Sequence, residues 1–118
     1  MKITQMLNQN ERAWANQIII EGRTQTDGEI RILQSYQSKV VYIDYEEHHI
    51  SFGEDWDYSN TTLRAVFKFL QDSIGFDQKL SSDVINKALK DNAITDQYGE
   101  IWTVASGSEE FFDSILMK

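Results

Sequence analysis

The clearest pattern in the chain is an amphipathic stripe that begins after Tyr58. Apolar residues recur at spacings of three and four: Leu63, Val66, Phe67, Leu70 and Ile74. This spacing places them on one face of an α-helix. Ser59 or Asn60 can cap the first N–H groups, and Gly75 suits the left-handed residue that ends many helices. The pattern therefore predicts a helix between about residues 59 and 74.

Three further segments have helical spacing. Residues 82–91 follow a capping serine, Ser81 or Ser82, and predict a second helix that ends near Asn92. Residues 3–8 predict a short opening helix, because their apolar positions are spaced by three and four. Residues 108–116 predict a third amphipathic helix, with acidic residues in its first turn. The apolar positions of these segments are Ile3, Met6, Leu7, Val84, Ile85, Ala88, Leu89, Phe111, Phe112, Ile115 and Leu116.

The first half of the chain has the composition of strands. Residues 15–22, 29–33, 39–44 and 49–52 are short apolar or β-branched runs, separated by turn signals that include Asp27-Gly28 and Gly53. Residues 101–104 are predicted to be extended or a last short strand. The expected fold is one α+β domain over residues 1–118, with an N-terminal short helix and antiparallel β-meander followed by two or three helices packed on the sheet.

Composition restricts the class of protein. Hydrophobic residues make up 41% of 118 residues, which is enough for one packed core. The chain has no cysteine, so its stability does not depend on disulfides, and a reducing compartment fits. It has neither a signal-peptide pattern nor an apolar run of about 18 residues. We expect a cytoplasmic protein.

Negative charge is concentrated in one stretch. The formal net charge is -8, and residues 44–58 hold six acidic residues with no Lys or Arg. Such a charge repels phosphate backbones and anionic membranes. We therefore expect a basic protein as the partner, with no direct contact to nucleic acid or membrane.

The same stretch supplies the candidate contact residues. Carboxylates can meet Lys or Arg of a partner, and aromatic side chains provide anchor area. An alternative is that Trp56 covers the start of the helix as a core residue while the acids around it are simply solvated. The predicted partner-binding residues are Asp44, Tyr45, Glu46, Glu47, Glu54, Asp55, Trp56, Asp57 and Tyr58.

Catalytic and metal sites are not indicated. His48 and His49 are adjacent on a predicted strand, so their side chains point to opposite faces and cannot easily act together. Residues 55–66 open like a calcium loop, but the sixth position is Asn60 and the twelfth is Val66, where Gly and Glu are needed. We predict a protein that is not an enzyme and that uses no metal and no cofactor.

Two motifs resemble a family of small phage and mobile-element proteins. They are Ser35-Tyr36-Gln37-Ser38 in a strand segment and Tyr58-Ser59-Asn60-Thr61-Thr62 at the start of a helix, and Trp14-Ala15-Asn16-Gln17 adds to the likeness. The resemblance spans roughly residues 1–75. Members are mostly of unknown function, and some relatives are anti-CRISPR proteins that inhibit type II-A Cas9.

The resemblance implies a function that the charge pattern makes physically coherent. Cas9 has strongly basic channels for guide RNA and DNA, for which an acidic protein surface can compete. The expected function is an anti-CRISPR-like inhibitor that binds Cas9 and blocks guide RNA loading or DNA binding. Two alternatives remain open: a guide-RNA-processing factor that uses His48 or His49, and a phage regulatory protein that binds another basic host protein.

Overall fold

The computed structural model describes residues 1–107, which form a seven-stranded mixed sheet and two helices. The elements in chain order are β1 (Lys2–Leu7), β2 (Ala13–Arg23), β3 (Glu29–Ser35), β4 (Ser38–Asp44), β5 (His49–Phe52), α1 (Asn60–Ser73), α2 (Ser82–Asp91), β6 (Ala93–Thr95) and β7 (Ile101–Ser106). The strand order is β1-β2-β3-β4-β5-β7-β6. The β5–β7 pair is parallel, whereas the other pairs of this sheet are antiparallel.

The expected architecture, an N-terminal helix and an antiparallel meander followed by a layer of helices, is wrong. Strand makes up 41% of the described residues and helix 22%. The two helices lie in the connection from β5 to β7, and β7 returns to pair parallel with β5 and extends the sheet. Parallel neighbours require such a long crossover connection. Sequence periodicity identifies strands without identifying the strands they pair with, so the mixed sheet was missed.

The predicted opening helix is also wrong, because residues 2–7 form the edge strand β1. Ile3 pairs with Ile20 of β2 and is 65% exposed, whereas Met6 is 2% exposed in the core. Within β1 only Met6 is buried, so the burial does not follow a helical stripe. An apolar spacing of three and four in so short a segment fits a strand with a bulge, and here the register shifts between Gln5 and Leu7.

Several predicted elements are confirmed at their predicted positions. Strands β2 to β5 overlap the four predicted strands, and β7 includes residues 101–104. Ser59 caps α1, and its hydroxyl accepts from the N–H of Thr62. Ser81 caps α2, which ends at Asn92 in the left-handed conformation. The predicted third helix, residues 108–116, lies outside the described residues.

The main core lies between the sheet and both helices. Leu33, Val41 and Ile43 of the sheet meet Phe69 of α1 and Ile85 of α2, and each of these side chains is at most 1% exposed. On the opposite face of the sheet, a smaller buried cluster contains Ile20, Ile30, Ile32 and Tyr42. The larger face therefore provides most of the hydrophobic stabilisation.

Hydrogen bonds hold both ends of α1 to the sheet. At the N-terminal end, the buried hydroxyls of Thr62 and Ser35 lie 2.9 Å apart. At the C-terminal end, the Tyr45 hydroxyl donates to the carbonyl of Ser73 at 2.9 Å, and Arg31 Nη1 donates to the Ser73 hydroxyl at 2.7 Å. These contacts align α1 with the strands, so each end of the helix marks one end of the sheet.

Asp96 organises the β6–β7 turn. Its carboxylate accepts hydrogen bonds from the indole N–H of Trp102 at 2.9 Å and from the backbone N–H groups of Tyr98 and Glu100 at 2.8 and 3.0 Å. The hydrogen bond from Trp102 is the largest of the effects that lower the pKa of Asp96 below its ordinary value of 3.8. The charged carboxylate therefore stabilises the folded state.

We expect this contribution to depend on pH. Because the folded pKa is lowered, the stabilisation is complete above the ordinary pKa of 3.8 and is lost as the pH falls through the folded value. The Asp96→Asn variant should be less stable than the wild type at pH 6, and the difference should shrink towards pH 2. Denaturant unfolding at a series of pH values measures it. A difference that stays constant with pH would contradict this assignment.

Candidate functional site

The predicted acidic stretch does not form one surface. Residues 44–58 contain β5, which carries the chain from one end of the sheet to the other. Asp44, Glu46 and Glu47 lie at the β4–β5 turn, whereas Glu54, Asp55 and Asp57 follow β5 at the opposite end. Four strand residues span about 13 Å, which exceeds the Debye length of about 8 Å at physiological ionic strength. The two sets of carboxylates therefore act at separate ends.

The β4–β5 turn gathers acidic residues that are distant in sequence. Thr26 of the β2–β3 loop donates to the carboxylate of Glu46 at 3.2 Å, and the N–H of Tyr45 bonds to the carbonyl of Glu29. Glu100 of the β6–β7 turn lies 3.5 Å from Nδ1 of His48. We call this surface the acidic end; its members are Asp27, Glu29, Asp44, Glu46, Glu47 and Glu100.

The members of the acidic end are mostly open to solvent. Glu46 and Glu47 are exposed, and Asp44 is half-buried with its carboxylate accepting from the N–H of Glu47 at 3.0 Å. Asp27 forms a solvent-exposed ion pair with Arg23 at 3.7 Å. Sequence analysis missed Asp27, Glu29 and Glu100, because only the strand pairing places their loops beside the β4–β5 turn.

Two of the three predicted aromatic anchors are structural. Trp56 is 7% exposed, and its ring meets the Phe52 ring with centroids 5.8 Å apart. Tyr45 is half-buried. Its hydroxyl donates to the carbonyl of Ser73 in α1, and the centroid of its ring lies 6.0 Å from that of the Trp102 ring. Tyr58 is 73% exposed. Of the three, Tyr58 is the ring that the folded protein presents to solvent.

The two histidines have separate surroundings. His48 stacks on Trp102 with ring centroids 4.5 Å apart. His49 has Nδ1 2.6 Å from the Thr103 hydroxyl and Nε2 2.9 Å from the Ser51 hydroxyl. Burial lowers the pKa of His49, and the charges of Asp44 and Glu47 oppose this effect. Both nitrogens of His49 are therefore held by neighbours in the sheet.

The two motifs come together at the opposite end of the sheet. They line a cleft of about 590 Å³. We call it the motif cleft; it is lined by Asn16 of β2, residues 35–38 of the β3–β4 hairpin, and Asp55, Tyr58, Ser59 and Thr62 at the start of α1. Its volume falls within the range of small-ligand sites.

Several motif residues build this end of the fold. Ser59 caps α1, and Thr62 bonds to Ser35 across the helix–sheet boundary. The Ser38 hydroxyl donates to the carboxylate of Asp55 at 2.9 Å and ties the hairpin to the loop before α1. Tyr36 and Tyr58 meet edge to face, with ring centroids 6.5 Å apart. The two motifs are therefore structural neighbours although 19 residues lie between them in sequence.

Within residues 1–107, no group of three or more His, Asp or Glu side chains is placed to hold a metal ion. Neither of the two helices in this range combines the length and the apolar character that a bilayer-spanning helix needs.

A buried amide lies next to the motif cleft. Gln17 is fully buried and pairs across the strands with Ser35, but its Oε1 and Nε2 atoms have no hydrogen-bond partner among the described residues. A buried polar group without a partner costs roughly 1–3 kcal/mol. Sequence analysis could not single out this glutamine, because polarity alone does not reveal burial.

We expect Gln17→Met to raise the free energy of unfolding by about 1 kcal/mol, because a side chain of similar size replaces the unpaired amide. Denaturant unfolding measures the change. Ser35→Ala is the matched control: it removes a buried hydroxyl that does have a partner, and it should lower the free energy of unfolding by about 1 kcal/mol. A loss of stability in Gln17→Met would show that the amide is satisfied.

The comparisons with known proteins identify a family without assigning an activity. Residues 1–101 match the model of a family described as a family of unknown function (DUF8033). Neither the curated proteins nor the solved structures include a match to this chain. The matched residues contain the motif cleft, every member of the acidic end and both helices. Because the match covers well over half of the chain, the protein belongs to this family of unknown function.

Proposed function

We propose that this protein is a non-catalytic binding protein whose acidic end engages a positively charged protein surface. The observation that carries the proposal is the gathering of carboxylates from three separate turns at one end of the sheet. Their mutual repulsion opposes folding, so a role in binding explains why they are assembled there. Type II-A Cas9 is the partner that the resemblance suggests.

Electrostatics supports this class of partner. Carboxylates on a solvent-exposed surface attract a basic protein during diffusional encounter and orient it before contact. Cas9 holds the guide RNA–DNA heteroduplex in a positively charged channel. An acidic protein bound in or near that channel would compete with guide RNA loading or with DNA binding. Such a protein acts in the cytoplasm of the bacterial host cell.

The geometry divides the sequence-predicted contact residues between two surfaces. Asp44, Glu46 and Glu47 belong to the acidic end and remain in the proposed contact surface, which also includes Asp27, Glu29 and Glu100. Glu54, Asp55 and Asp57 lie at the far end of β5, so one flat contact with a partner does not include both sets. Tyr45 supports the acidic end through packing against Trp102, whereas Trp56 packs on Phe52 at the opposite end.

The histidine environment supports binding over guide RNA processing. A general base needs a nitrogen within reach of the substrate proton. His49 instead has both nitrogens engaged by the hydroxyls of Thr103 and Ser51, and Nδ1 of His48 faces the carboxylate of Glu100 at 3.5 Å. Guide RNA incubated with this protein and Cas9 should therefore be recovered at full length on a denaturing gel. Shortened guide RNA would favour the enzymatic alternative.

We expect the double variant Glu46→Lys, Glu47→Lys to bind Cas9 at least tenfold more weakly, because it replaces attraction with repulsion at the centre of the acidic end. Size-exclusion chromatography with Cas9, with and without guide RNA, detects the complex, and calorimetry gives the affinity. Raising the salt concentration should weaken wild-type binding, since the attraction is screened.

Glu54→Lys, Asp57→Lys is the matched control, with the same change in net charge at the opposite end. It should retain most of the wild-type affinity. The far-UV circular dichroism and the unfolding midpoint of both double variants should stay close to the wild type. If the control loses binding and the acidic-end variant keeps it, the surface is wrongly assigned. If wild-type protein leaves guide loading, DNA binding and cleavage by Cas9 unchanged, Cas9 is not the partner.

A further inference from the structure

The motif cleft has features that the stability of the fold does not require. Ser35, Ser59 and Thr62 hold α1 on the sheet, whereas Tyr36 and Tyr58 remain 44% and 73% exposed. Tyr36 also has a φ of 57°, at the first position of a two-residue hairpin loop where glycine is preferred. A tyrosine in this conformation is strained, and such strain is found preferentially at functional sites.

Asn16 shows a second departure from ordinary strand geometry at the same place. Its φ is 67°, although it lies within β2, and its carbonyl accepts the N–H of Tyr36 at 2.7 Å. The two left-handed residues therefore support each other and turn their side chains into one wall of the cleft. Aromatic rings, an amide and hydroxyls converge on a concave surface, which is the usual construction of a ligand site.

The charges around the cleft are of opposite sign and favour a neutral small ligand. The start of α1 forms one wall and carries the positive end of the helix dipole, which disfavours a cation. Asp55, in the loop just before α1, also lines the cleft and disfavours an anion, and Glu54 and Asp57 are its near neighbours in the chain. Among the described residues that line the cleft, none is Lys or Arg, so a phosphate has no charged partner there.

The lining also excludes a lipid-like ligand. Among the described residues of the cleft wall, the apolar surface comes from the two tyrosine rings, and no Leu, Ile, Val or Met is present. The remaining side chains are amides, hydroxyls and one carboxylate, which can donate to and accept from the hydroxyl groups of a ligand. A neutral ligand with many hydroxyls and some C–H surface fits this lining.

We propose that the motif cleft binds a carbohydrate. The exposed ring of Tyr58, set against Tyr36, provides a flat surface for the C–H face of a sugar ring. The Asp55 carboxylate and the amides of Asn16 and Gln37 hydrogen-bond to sugar hydroxyls. The volume of about 590 Å³ admits more than one sugar unit. This activity is independent of the acidic end, which lies at the other end of the sheet.

The test is a titration of the full chain with neutral trisaccharides. Maltotriose, cellotriose and N,N′,N″-triacetylchitotriose serve as probes, observed by saturation-transfer NMR and by the chemical shifts of the protein. At least one should bind, with shift changes confined to residues near Tyr36 and Tyr58. Tyr58→Ala should weaken that binding at least tenfold, and Asn16→Gly, which suits the left-handed backbone, should weaken it without unfolding the protein.

Tyr98→Ala is the matched control, because Tyr98 is 77% exposed and lies in the β6–β7 turn at the other end. It should leave trisaccharide binding unchanged, as should the double variant Glu46→Lys, Glu47→Lys. Loss of Cas9 binding with sugar binding retained would therefore separate the two sites. The carbohydrate assignment is overturned if none of the trisaccharides binds, if Tyr58→Ala binds as tightly as wild type, or if arginine amide, uridine or inorganic phosphate binds the cleft instead.

Discussion

The position of α1 on the sheet is the constraint on which the rest of the structure depends. Its apolar face packs on the strands through Val66, Phe69 and Leu70, and hydroxyl contacts at Thr62 and Ser73 hold its two ends. Apolar burial alone would let the helix slide along the sheet, because the hydrophobic effect has no direction. The directional contacts fix its register. The motif cleft and the acidic end consequently lie at opposite ends of the helix.

This arrangement gives the two ends of the sheet different chemistry. At the C-terminal end of α1, the turns between antiparallel strands bring carboxylates together and leave most of them in solvent, which suits encounter with a basic protein. At the N-terminal end of α1, the partial positive charge of the helix dipole and the negative charge of Asp55 partly cancel. The tyrosines and amides around them suit a neutral ligand. A partner on one surface does not have to exclude a ligand on the other, since β5 separates them.

The features that could be predicted from the sequence are those that depend on residues close together in the chain. The stripe from Leu63 to Ile74 and the caps Ser59 and Ser81 depend on neighbours within a few residues, and sequence analysis located both helices correctly. Residues 2–7 could not be assigned in this way, because their apolar spacing suits either a helix or a strand. Their pairing with β2 makes them a strand. Trp56 and Tyr58 have similar sequence surroundings, yet one is buried and the other exposed.

By itself, the sequence determined the net charge of -8, most of the strands and both described helices, since composition and periodicity are properties of the chain. The tertiary structure decided which strands are neighbours, and hence which side chains share a surface. It divided the acidic residues of positions 44–58 between two ends, brought Glu100 to His48, and joined two distant motifs into a cleft. The physical reason is that strand pairing and helix packing act between residues far apart in sequence, and no local pattern records them.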